Sequence, residues 1–534
     1  MSTKPQTGFA LALPALIFYA LFYVVPLVAI ARLSFTPGIL SGGENPLTVM
    51  SNPAYLRVLG FSAWQALLST GLTLLAGLPA ALVFARYRFA AQGAWRALAV
   101  TPFVMPTVVV AAAFSALLGP QLIGTLGAIL LAHVFYNMGL MLRIVGGFLA
   151  NVDTQIEESA RVDGAGRWQV LRHVTLPLAL PAIGAAATLT FLFTFTSFGV
   201  ILLLGGIQHA TLEVAIYQST AQLLRLDVST SLALLQLAVT LVLGVVSSRL
   251  QERAGIEKAG VDLRRAARAP AERLLLGGVL AMIALLIGLP LLSMVWRSIA
   301  PEGDPLAYYR ALGTNTRNSF FFDPPLVAVG NSLAFAALTT LLAGALGLPL
   351  AYALARRSPA GRLGEALLLL PVGTSAITLG LGYFVGFDRP PLDLRTSPLL
   401  LPLAHTMIAL PFFVRAVLPA LRALDPQLRE AAASEGASGW RIVRSIELPL
   451  IAPMLAAGAV FAFSISLGEF GAALLISRPE WPTLPVAIFR FLSQPGALNY
   501  GQAMAMSVLL MLVTAAGAWL VERLAGEASG FRLL

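Results

Sequence analysis

The chain has 534 residues, of which 58% are hydrophobic and 11% are charged, whereas a soluble domain typically carries about 25% charged residues. This composition excludes a soluble globular protein and predicts a chain that crosses the bilayer many times. The absence of cysteine excludes disulfides, thiolate metal sites and a cysteine nucleophile. The net charge of +10 arises from Lys and Arg residues that flank apolar runs, so we do not expect nucleic-acid binding.

Apolar runs of about 20 residues, long enough to cross a bilayer, recur along the whole chain. The first of them has no small-residue cleavage site, so we interpret it as a membrane helix and not as a removed signal peptide. The predicted spans are residues 8–32, 61–85, 97–118, 126–149, 179–204, 230–249, 274–296, 331–355, 364–386, 398–420, 451–476 and 500–522. They predict an all-α integral membrane protein with about twelve transmembrane helices.

Two polar segments stand out between these spans, and they share one pattern. Residues 158–164 and residues 430–436 both read glutamate, a small residue, alanine, three further residues and glycine, and each segment continues to a Leu-Pro pair. Each pattern predicts a helix that begins at the glutamate, a break at the glycine, and a second short helix that ends at Pro177 or Pro449.

The two segments lie 272 residues apart, and other residues recur at that separation, including His133 with His405 and Trp168 with Trp440. The sequence therefore predicts two parallel six-helix repeats, which an axis along the membrane normal would relate. The first repeat covers residues 1–250, a basic linker covers residues 251–273, and the second repeat covers residues 274–534.

The distribution of Lys and Arg predicts the orientation in the membrane. With a cytoplasmic N-terminus, most of the 35 Lys and Arg residues fall on the cytoplasmic side, as the positive-inside rule requires. This topology predicts that both termini, the linker and both repeated loops are cytoplasmic. We call residues 153–177 loop 1 and residues 425–449 loop 2.

Loops 1 and 2 resemble the EAA loop of bacterial ABC-importer permeases, with Ser159 in loop 1 where the family has alanine. The resemblance implies the MetI-like permease fold of a type I ABC importer in the bacterial inner membrane. In that family the loop docks on the ATPase. The implied partners are two copies of a cytoplasmic ABC ATPase, a periplasmic or lipid-anchored solute-binding protein, and membrane lipid. The chain lacks a G-x-x-x-x-G-K-[ST] phosphate loop, so we expect no enzymatic activity, ATP hydrolysis on a separate subunit, and no cofactor.

The loop residues have distinct expected roles in coupling to that ATPase. We expect the glutamates to lie near helix N-termini, where a carboxylate is favourable. The alanines permit close approach of the partner, and the glycines permit a turn. The tryptophans offer apolar anchors for the ATPase; the alternative is that they anchor the loop at the membrane interface. The predicted ATPase-coupling residues are Glu158, Ala160, Gly164, Trp168, Glu430, Ala432, Gly436 and Trp440.

Glu469 is an ionisable residue inside an apolar run, a feature that marks a functional site by default. Its counterpart in the first repeat is Ser197. We predict that Glu469 and Ser197 belong to the substrate pathway; the alternative is a structural carboxylate bonded to a neighbouring helix. The equivalent pair His133 and His405 more readily fits a packing role.

The transported solute is left open between several classes. Residues 197–218 and 131–137 look most like the fused thiamine permeases, whereas the Leu-Gly-Glu run at residues 467–469 also occurs in ferric-iron permeases. We therefore predict thiamine uptake, with ferric iron and then sulfate- or phosphonate-type solutes as alternatives. A gradient-driven secondary transporter would need no ATPase-docking loop, and a membrane enzyme would need a catalytic cluster that the sequence does not offer.

Overall fold

The computed structural model describes residues 5–36, 45–152, 154–253, 264–299, 303–315, 324–355, 359–388, 390 and 393–529. Residue 153 of loop 1 and residues 254–263 of the predicted linker lie outside this part of the chain. The described residues are mainly helical, with one short pair of parallel strands, β1 (Tyr87–Arg88) and β2 (Arg265–Ala266).

The α-helices of the first half of the chain are α1 (Pro5–Tyr19), α2 (Val25–Phe35), α3 (Pro46–Ser51), α4 (Pro53–Arg86), α5 (Gln92–Val104), α6 (Thr107–Leu118), α7 (Leu126–Ala150), α8 (Thr154–Val162), α9 (Arg167–Val170), α10 (Leu176–Phe195), α11 (Gly199–Leu204), α12 (Leu212–Tyr217) and α13 (Leu226–Arg253). The α-helices of the second half are α14 (Pro270–Ile283), α15 (Leu289–Arg297), α16 (Ala307–Arg310), α17 (Pro325–Ala355), α18 (Pro359–Gly373), α19 (Ala376–Gly386), α20 (Leu400–Ala423), α21 (Pro426–Ser434), α22 (Gly439–Ile442), α23 (Leu448–Gly468), α24 (Gly471–Ile476), α25 (Leu484–Leu492) and α26 (Ala497–Ser529).

Within the described residues, ten helical segments are long and apolar enough to cross a membrane, and two bent helix pairs raise the possible number to 12. This confirms the predicted class and the approximate number of spans. The predicted spans 97–118 and 364–386 are each broken into two helices, because the chain bends by 110° between α5 and α6 and by 92° between α18 and α19. Pro106 precedes α6 as its N-cap, and the Ser375 hydroxyl accepts from two backbone N–H groups at the start of α19. Hydropathy does not predict where a new helix begins inside a continuous apolar run.

The predicted spans 179–204 and 451–476 are also interrupted. The long helix α10 ends at Phe195 and α23 ends at Gly468, and each is followed by a turn and a six-residue helix, α11 or α24. Ser197 and Glu469 therefore lie at helix breaks and not, as the sequence predicted, inside continuous helices.

A π-helical turn precedes the X-Pro pair at the start of α2, α10, α15 and α23. Proline lacks an N–H and its ring crowds the preceding turn, so the wider π-turn lets the helix continue through it. The prediction that the second loop helix ends at Pro177 or Pro449 is therefore wrong. Residues 167–195 and 439–468 each form one long membrane-crossing segment that begins in the loop.

The chain folds as two compact units. Unit 1 comprises Met1–Val49, Ile216–Leu237 and Ile299–Leu534, and unit 2 comprises Met50–Ala215 and Ala238–Ser298. In unit 1, α1 packs on α17 and α2 on α19; in unit 2, α15 packs on α6. Helices α1 and α2, from the first half of the chain, thus belong to unit 1, most of which comes from the second half. Helices α14 and α15, from the second half, belong to unit 2, most of which comes from the first half. The predicted boundaries of the two sequence repeats, at residues 250 and 274, stay a prediction.

Candidate coupling loops and buried polar clusters

Loops 1 and 2 share one backbone geometry, which their glycines determine. Gly164 has φ +90° and Gly436 has φ +82°, in the left-handed region that L side chains rarely adopt. In loop 1 the N–H of Gly164 donates to the Arg161 carbonyl and that of Ala165 to the Ala160 carbonyl, both at 3.0 Å. This is the Schellman motif that stops α8.

Loop 2 repeats this helix stop with the same two hydrogen bonds. Gly436 donates to the Ala433 carbonyl, and Ala437 donates to the Ala432 carbonyl, again at 3.0 Å. No atom lies within 4 Å of a β-carbon built on Gly164 or Gly436, so the structure requires glycine there for its dihedral angle and not for close packing.

The glutamates of the pattern do not begin their helices. Glu158 is the fifth residue of α8 and Glu430 the fifth of α21, so the expectation that they lie near helix N-termini is wrong. Both are exposed, whereas Ala160 and Ala432 are half-buried. Both helices begin four residues earlier, α8 at Thr154 and α21 at Pro426. In α21 the backbone N–H of Gln427 donates to the Asp425 carboxylate at the N-cap.

Each loop also presents a large exposed apolar side chain. Trp168 is 67% exposed and Trp440 is 69% exposed. Val162 and Leu428 add exposed apolar surface to loops 1 and 2, respectively. Exposed apolar residues together with charged ones form the kind of surface that a protein partner covers. The structure places all eight predicted coupling residues on two surface loops of this kind.

A buried carboxylate that sequence reasoning missed holds loop 1 to its unit. Glu157 of α8 lies next to the exposed Glu158 and pairs with Arg86, at the end of α4. Thr175 donates a hydrogen bond to the same carboxylate at 2.6 Å, which ties α8 to the π-turn before α10.

Loop 2 uses the equivalent positions with different charges. Arg429 occupies the place of Glu157, and Glu447 occupies the place of Thr175. The two residues form an ion pair with an Arg429 Nε to Glu447 Oε1 distance of 2.8 Å, in which the Glu447 carboxylate is buried and the Arg429 side chain is exposed. Comparison of the repeats position by position would have given the signal, because the equivalent residues Glu157 and Arg429 carry opposite charges and a carboxylate, Glu447, replaces Thr175.

In unit 2, His133 links three helical elements in the membrane-crossing region. Its Nδ1 lies 2.9 Å from the Ser69 hydroxyl of α4, and its Nε2 lies 2.9 Å from the Ser197 hydroxyl between α10 and α11. All three side chains are buried. The Ser197 hydroxyl, one of the two predicted pathway groups, is therefore engaged by a neighbouring helix.

Unit 1 contains the equivalent cluster, with Glu469 at the place of Ser197. The His405 Nδ1 lies 2.8 Å from the Ser466 hydroxyl, which lies 3.2 Å from the Thr339 hydroxyl, and the His405 Nε2 lies 3.3 Å from the Glu469 carboxylate. The N–H groups of Ala472 and Ala473 donate to the two Glu469 oxygens at 2.9 and 2.8 Å.

These bonds account for the buried carboxylate of Glu469, which would otherwise be costly at this depth. The carboxylate caps the first turn of α24 and contacts the imidazole of His405, so it has partners at both oxygens. The geometry matches the structural alternative stated above. The predicted role in the substrate pathway stays a prediction for both Ser197 and Glu469.

Two helical units, each with an exposed glycine-stopped loop whose second helix continues into a membrane segment, define a polytopic membrane protein with two matching surface loops. The chain belongs to the family of binding-protein-dependent transport system inner membrane components, whose model matches residues 73–254 and 343–526. It is thus an ABC-importer permease with two permease domains in one polypeptide.

Several relatives share this two-domain length. The thiamine transport system permease protein ThiP of Escherichia coli (strain K12) is 26% identical over 531 residues, covering 94% of this chain and 95% of ThiP. The probable ABC transporter permease y4fN of Sinorhizobium fredii is 27% identical, covering 88% of this chain and 87% of y4fN. A crystal structure of a bacterial alginate ABC importer aligns with a TM-score of 0.39 and 20% identity, covering 46% of this chain and 94% of that chain.

Proposed function

We propose that this chain is the permease of an ATP-driven thiamine importer, in which loops 1 and 2 each dock one copy of a separate ABC ATPase. The observation that carries the proposal is the pair of matching exposed loops, each stopped by a left-handed glycine and each continuous with a membrane-crossing helix. A helix without a break transmits a displacement of its loop end along its axis. Each loop therefore offers a mechanical connection between a cytoplasmic partner and the membrane.

The identity of the solute rests on the relatives. ThiP proteins of Escherichia coli, Salmonella typhimurium and Brucella abortus match this chain at 26% identity over 88% to 96% of its length. A solute-binding protein in the periplasm or on a lipid anchor would deliver thiamine, and both termini would be cytoplasmic. The excess of Lys and Arg on the loop side supports this orientation.

A 2-aminoethylphosphonate importer is the second candidate. The permease PhnV of Salmonella typhimurium, described as putative, is 30% identical over 238 residues, although this match covers only 44% of the present chain. The full-length likeness to ThiP favours thiamine, because both halves of the chain contribute to it.

Uptake in proteoliposomes tests the solute directly. The chain is reconstituted with its own ATPase and binding protein, and ATP-dependent uptake of radiolabelled thiamine is measured with unlabelled thiamine, 2-aminoethylphosphonate or ferric citrate as competitor. We expect competition by thiamine alone. Saturable ATP-dependent uptake of radiolabelled 2-aminoethylphosphonate or ferric citrate, with no saturable uptake of thiamine, would replace thiamine as the solute.

A further inference from the structure

Glu272, the third residue of α14, is a buried carboxylate that joins the linker region to loop 1. Its side chain is 6% exposed. The Arg265 guanidinium donates to both of its oxygens, at 2.7 and 3.1 Å, and Arg167 of loop 1 donates to Oε1 at 3.0 Å. Two guanidinium groups thus converge on one carboxylate.

The position of this carboxylate is set by α14 itself. The backbone N–H groups of Arg268 and of the N-cap residue Ala269 donate to Glu272 Oε2 at 3.0 and 3.2 Å. A side chain at the third helical position that accepts from the N-cap N–H is one half of a capping box. Arg167 therefore meets an anion whose orientation the first turn of α14 has already fixed.

The residues before α14 are also held in place. Strand β2 pairs with β1, so that Arg265 lies opposite Tyr87, and the Arg265 guanidinium lies 5.3 Å from the centre of the Tyr87 ring. Arg264 donates to the side-chain oxygen of Gln92 at 3.2 Å. The start of α14 is thereby attached to the chain segment that follows α4.

Arg167 stands at a mechanically important place in loop 1. It is the first residue of α9, which continues through the π-turn Leu171–Thr175 into α10. Even with the contact to Glu272, the Arg167 side chain is 71% exposed. The contact therefore joins the loop end of one membrane-crossing segment to the first turn of another, α14.

The second half has no counterpart of this pair in its sequence. Gly439 precedes Trp440 as Arg167 precedes Trp168, so loop 2 lacks the guanidinium. Pro26 and Pro290 are equivalent, since each is the second residue of a helix that follows a π-turn. Glu272 lies 18 residues before Pro290, and the residue 18 positions before Pro26 is Gly8, so the N-terminal segment has no carboxylate at the equivalent position.

We infer that the Arg167–Glu272 pair is a positioning element that couples loop 1, and not loop 2, to the first helix of the opposite half of the chain. The inference rests on the proposed docking of an ATPase at both loops. When the ATPase displaces loop 1, the ion pair carries that displacement to α14 as well as along α10. Loop 2 acts through α23 and has glycines, Gly439 and Gly8, at the positions equivalent to this pair, so the two ATPase contacts are mechanically unequal.

The first test needs neither ATPase nor solute. On this cysteine-free chain in lipid nanodiscs, a spin label is attached through Asp163→Cys or through Glu435→Cys, its equivalent in loop 2. We expect Glu272→Gln to increase label mobility at position 163 and to leave position 435 unchanged. An unchanged mobility at position 163, or an equal increase at both positions, would overturn the inference.

The second test measures thiamine transported per ATP hydrolysed in the reconstituted complex. We expect Glu272→Gln and Arg167→Gln each to lower this ratio about fivefold, with no further loss in the double variant and with ATPase co-purification retained. Arg167→Lys should restore part of the ratio. Arg310→Gln, which removes a surface ion pair with Asp304 outside the loops, is the control and should leave it unchanged.

A ratio unaffected by Glu272→Gln, or full additivity of the two single losses, would overturn the coupling role. If the wild-type complex failed to transport thiamine, the proposed function would be wrong, whereas the spin-label result would still decide whether Glu272 holds loop 1.

Discussion

Loops 1 and 2 share one backbone geometry but are held by different ion pairs. The comparison shows that the fold requires the glycine turn and tolerates a change in the charged residues. Both loops stop their first helix at a left-handed glycine, Gly164 or Gly436, with matching hydrogen bonds. The ion pairs differ, since the buried Glu157 of loop 1 pairs with Arg86 of α4, whereas in loop 2 the exposed Arg429 pairs with the buried Glu447. The backbone geometry is therefore the common requirement, and a charge can change place provided that a partner of opposite charge lies within reach.

The largest expected effect is on the shared backbone feature. We expect Gly164→Asp combined with Gly436→Asp to abolish uptake while the protein still reaches the membrane, because both side chains would be forced into the left-handed region. The local cost is about 1–2 kcal/mol per site, and the displaced loop would no longer fit its partner. Uptake assays and immunoblots of membrane fractions measure the two quantities.

Gly439→Ala is the matched control for these glycine changes. It lies in loop 2, has nothing within 4 Å of a built β-carbon, and does not have a positive φ. We expect near-normal uptake from this variant. Normal uptake by the double aspartate variant would instead show that the glycine turns are not needed for coupling.

The next largest effect distinguishes the two buried histidine clusters. Glu469→Ala leaves two backbone N–H groups without their acceptor and removes the carboxylate that contacts His405, at a cost of about 2–4 kcal/mol. Ser197→Ala removes one hydroxyl near His133, at a cost of about 1 kcal/mol. We expect Glu469→Ala to lower the midpoint temperature of unfolding of the purified permease more than Ser197→Ala does. Equal shifts would mean that the carboxylate stabilises no more than the serine hydroxyl.

Glu469→Gln sharpens the same comparison by keeping the shape and removing the charge. If the carboxylate is mainly a cap for α24, the amide oxygen replaces one of its two acceptors, and we expect thiamine uptake to fall less than twofold, equivalent to about 0.4 kcal/mol. A loss of uptake with unchanged thermal stability would instead support the predicted place of Glu469 in the substrate pathway.

The smallest expected effect on stability concerns the ion pair of loop 2, in which Glu447 is buried and Arg429 is exposed. Glu447→Gln keeps a hydrogen-bond acceptor for Arg429, so we expect a destabilisation of only about 0.5 kcal/mol. Glu447→Ala, which leaves the guanidinium without its acceptor, should cost more. The corresponding change in loop 1, Thr175→Val, removes the hydroxyl that donates to Glu157 and accepts from Arg86 but leaves the Arg86–Glu157 pair in place, so it should cost less than Glu447→Ala. Thermal unfolding of the three variants gives the order.

The sequence predicted the membrane class, the approximate span count and both glycine turns, because hydropathy and a repeated Gly pattern report directly on these features. It did not predict the breaks before Thr107 and Ala376, since a helix can stop within a run that stays apolar throughout. The π-turns before Pro177 and Pro449 were missed for a related reason: proline predicts an end of the helix, whereas the widened turn permits continuation.

The polar partners were the hardest part to foresee. Glu157 and Glu158 are adjacent and chemically identical, yet Glu157 is buried against Arg86 and Glu158 is exposed. The helical position of α8 relative to α4 decides this, and a single sequence does not specify it. Likewise, the partner of Glu469 lies on α20, many residues away, so the sequence indicated only that some compensation must exist.

Cross-linking from loops 1 and 2 to the ATPase tests the central claim most directly. Asp163→Cys and Glu435→Cys are introduced singly into this cysteine-free chain, and inverted membrane vesicles that contain the assembled complex are treated with a short bifunctional thiol reagent. The account predicts that both positions cross-link to the ATPase subunit. Labelling of either position by an impermeant thiol reagent in intact cells, with no cross-link to the ATPase in vesicles, would contradict it.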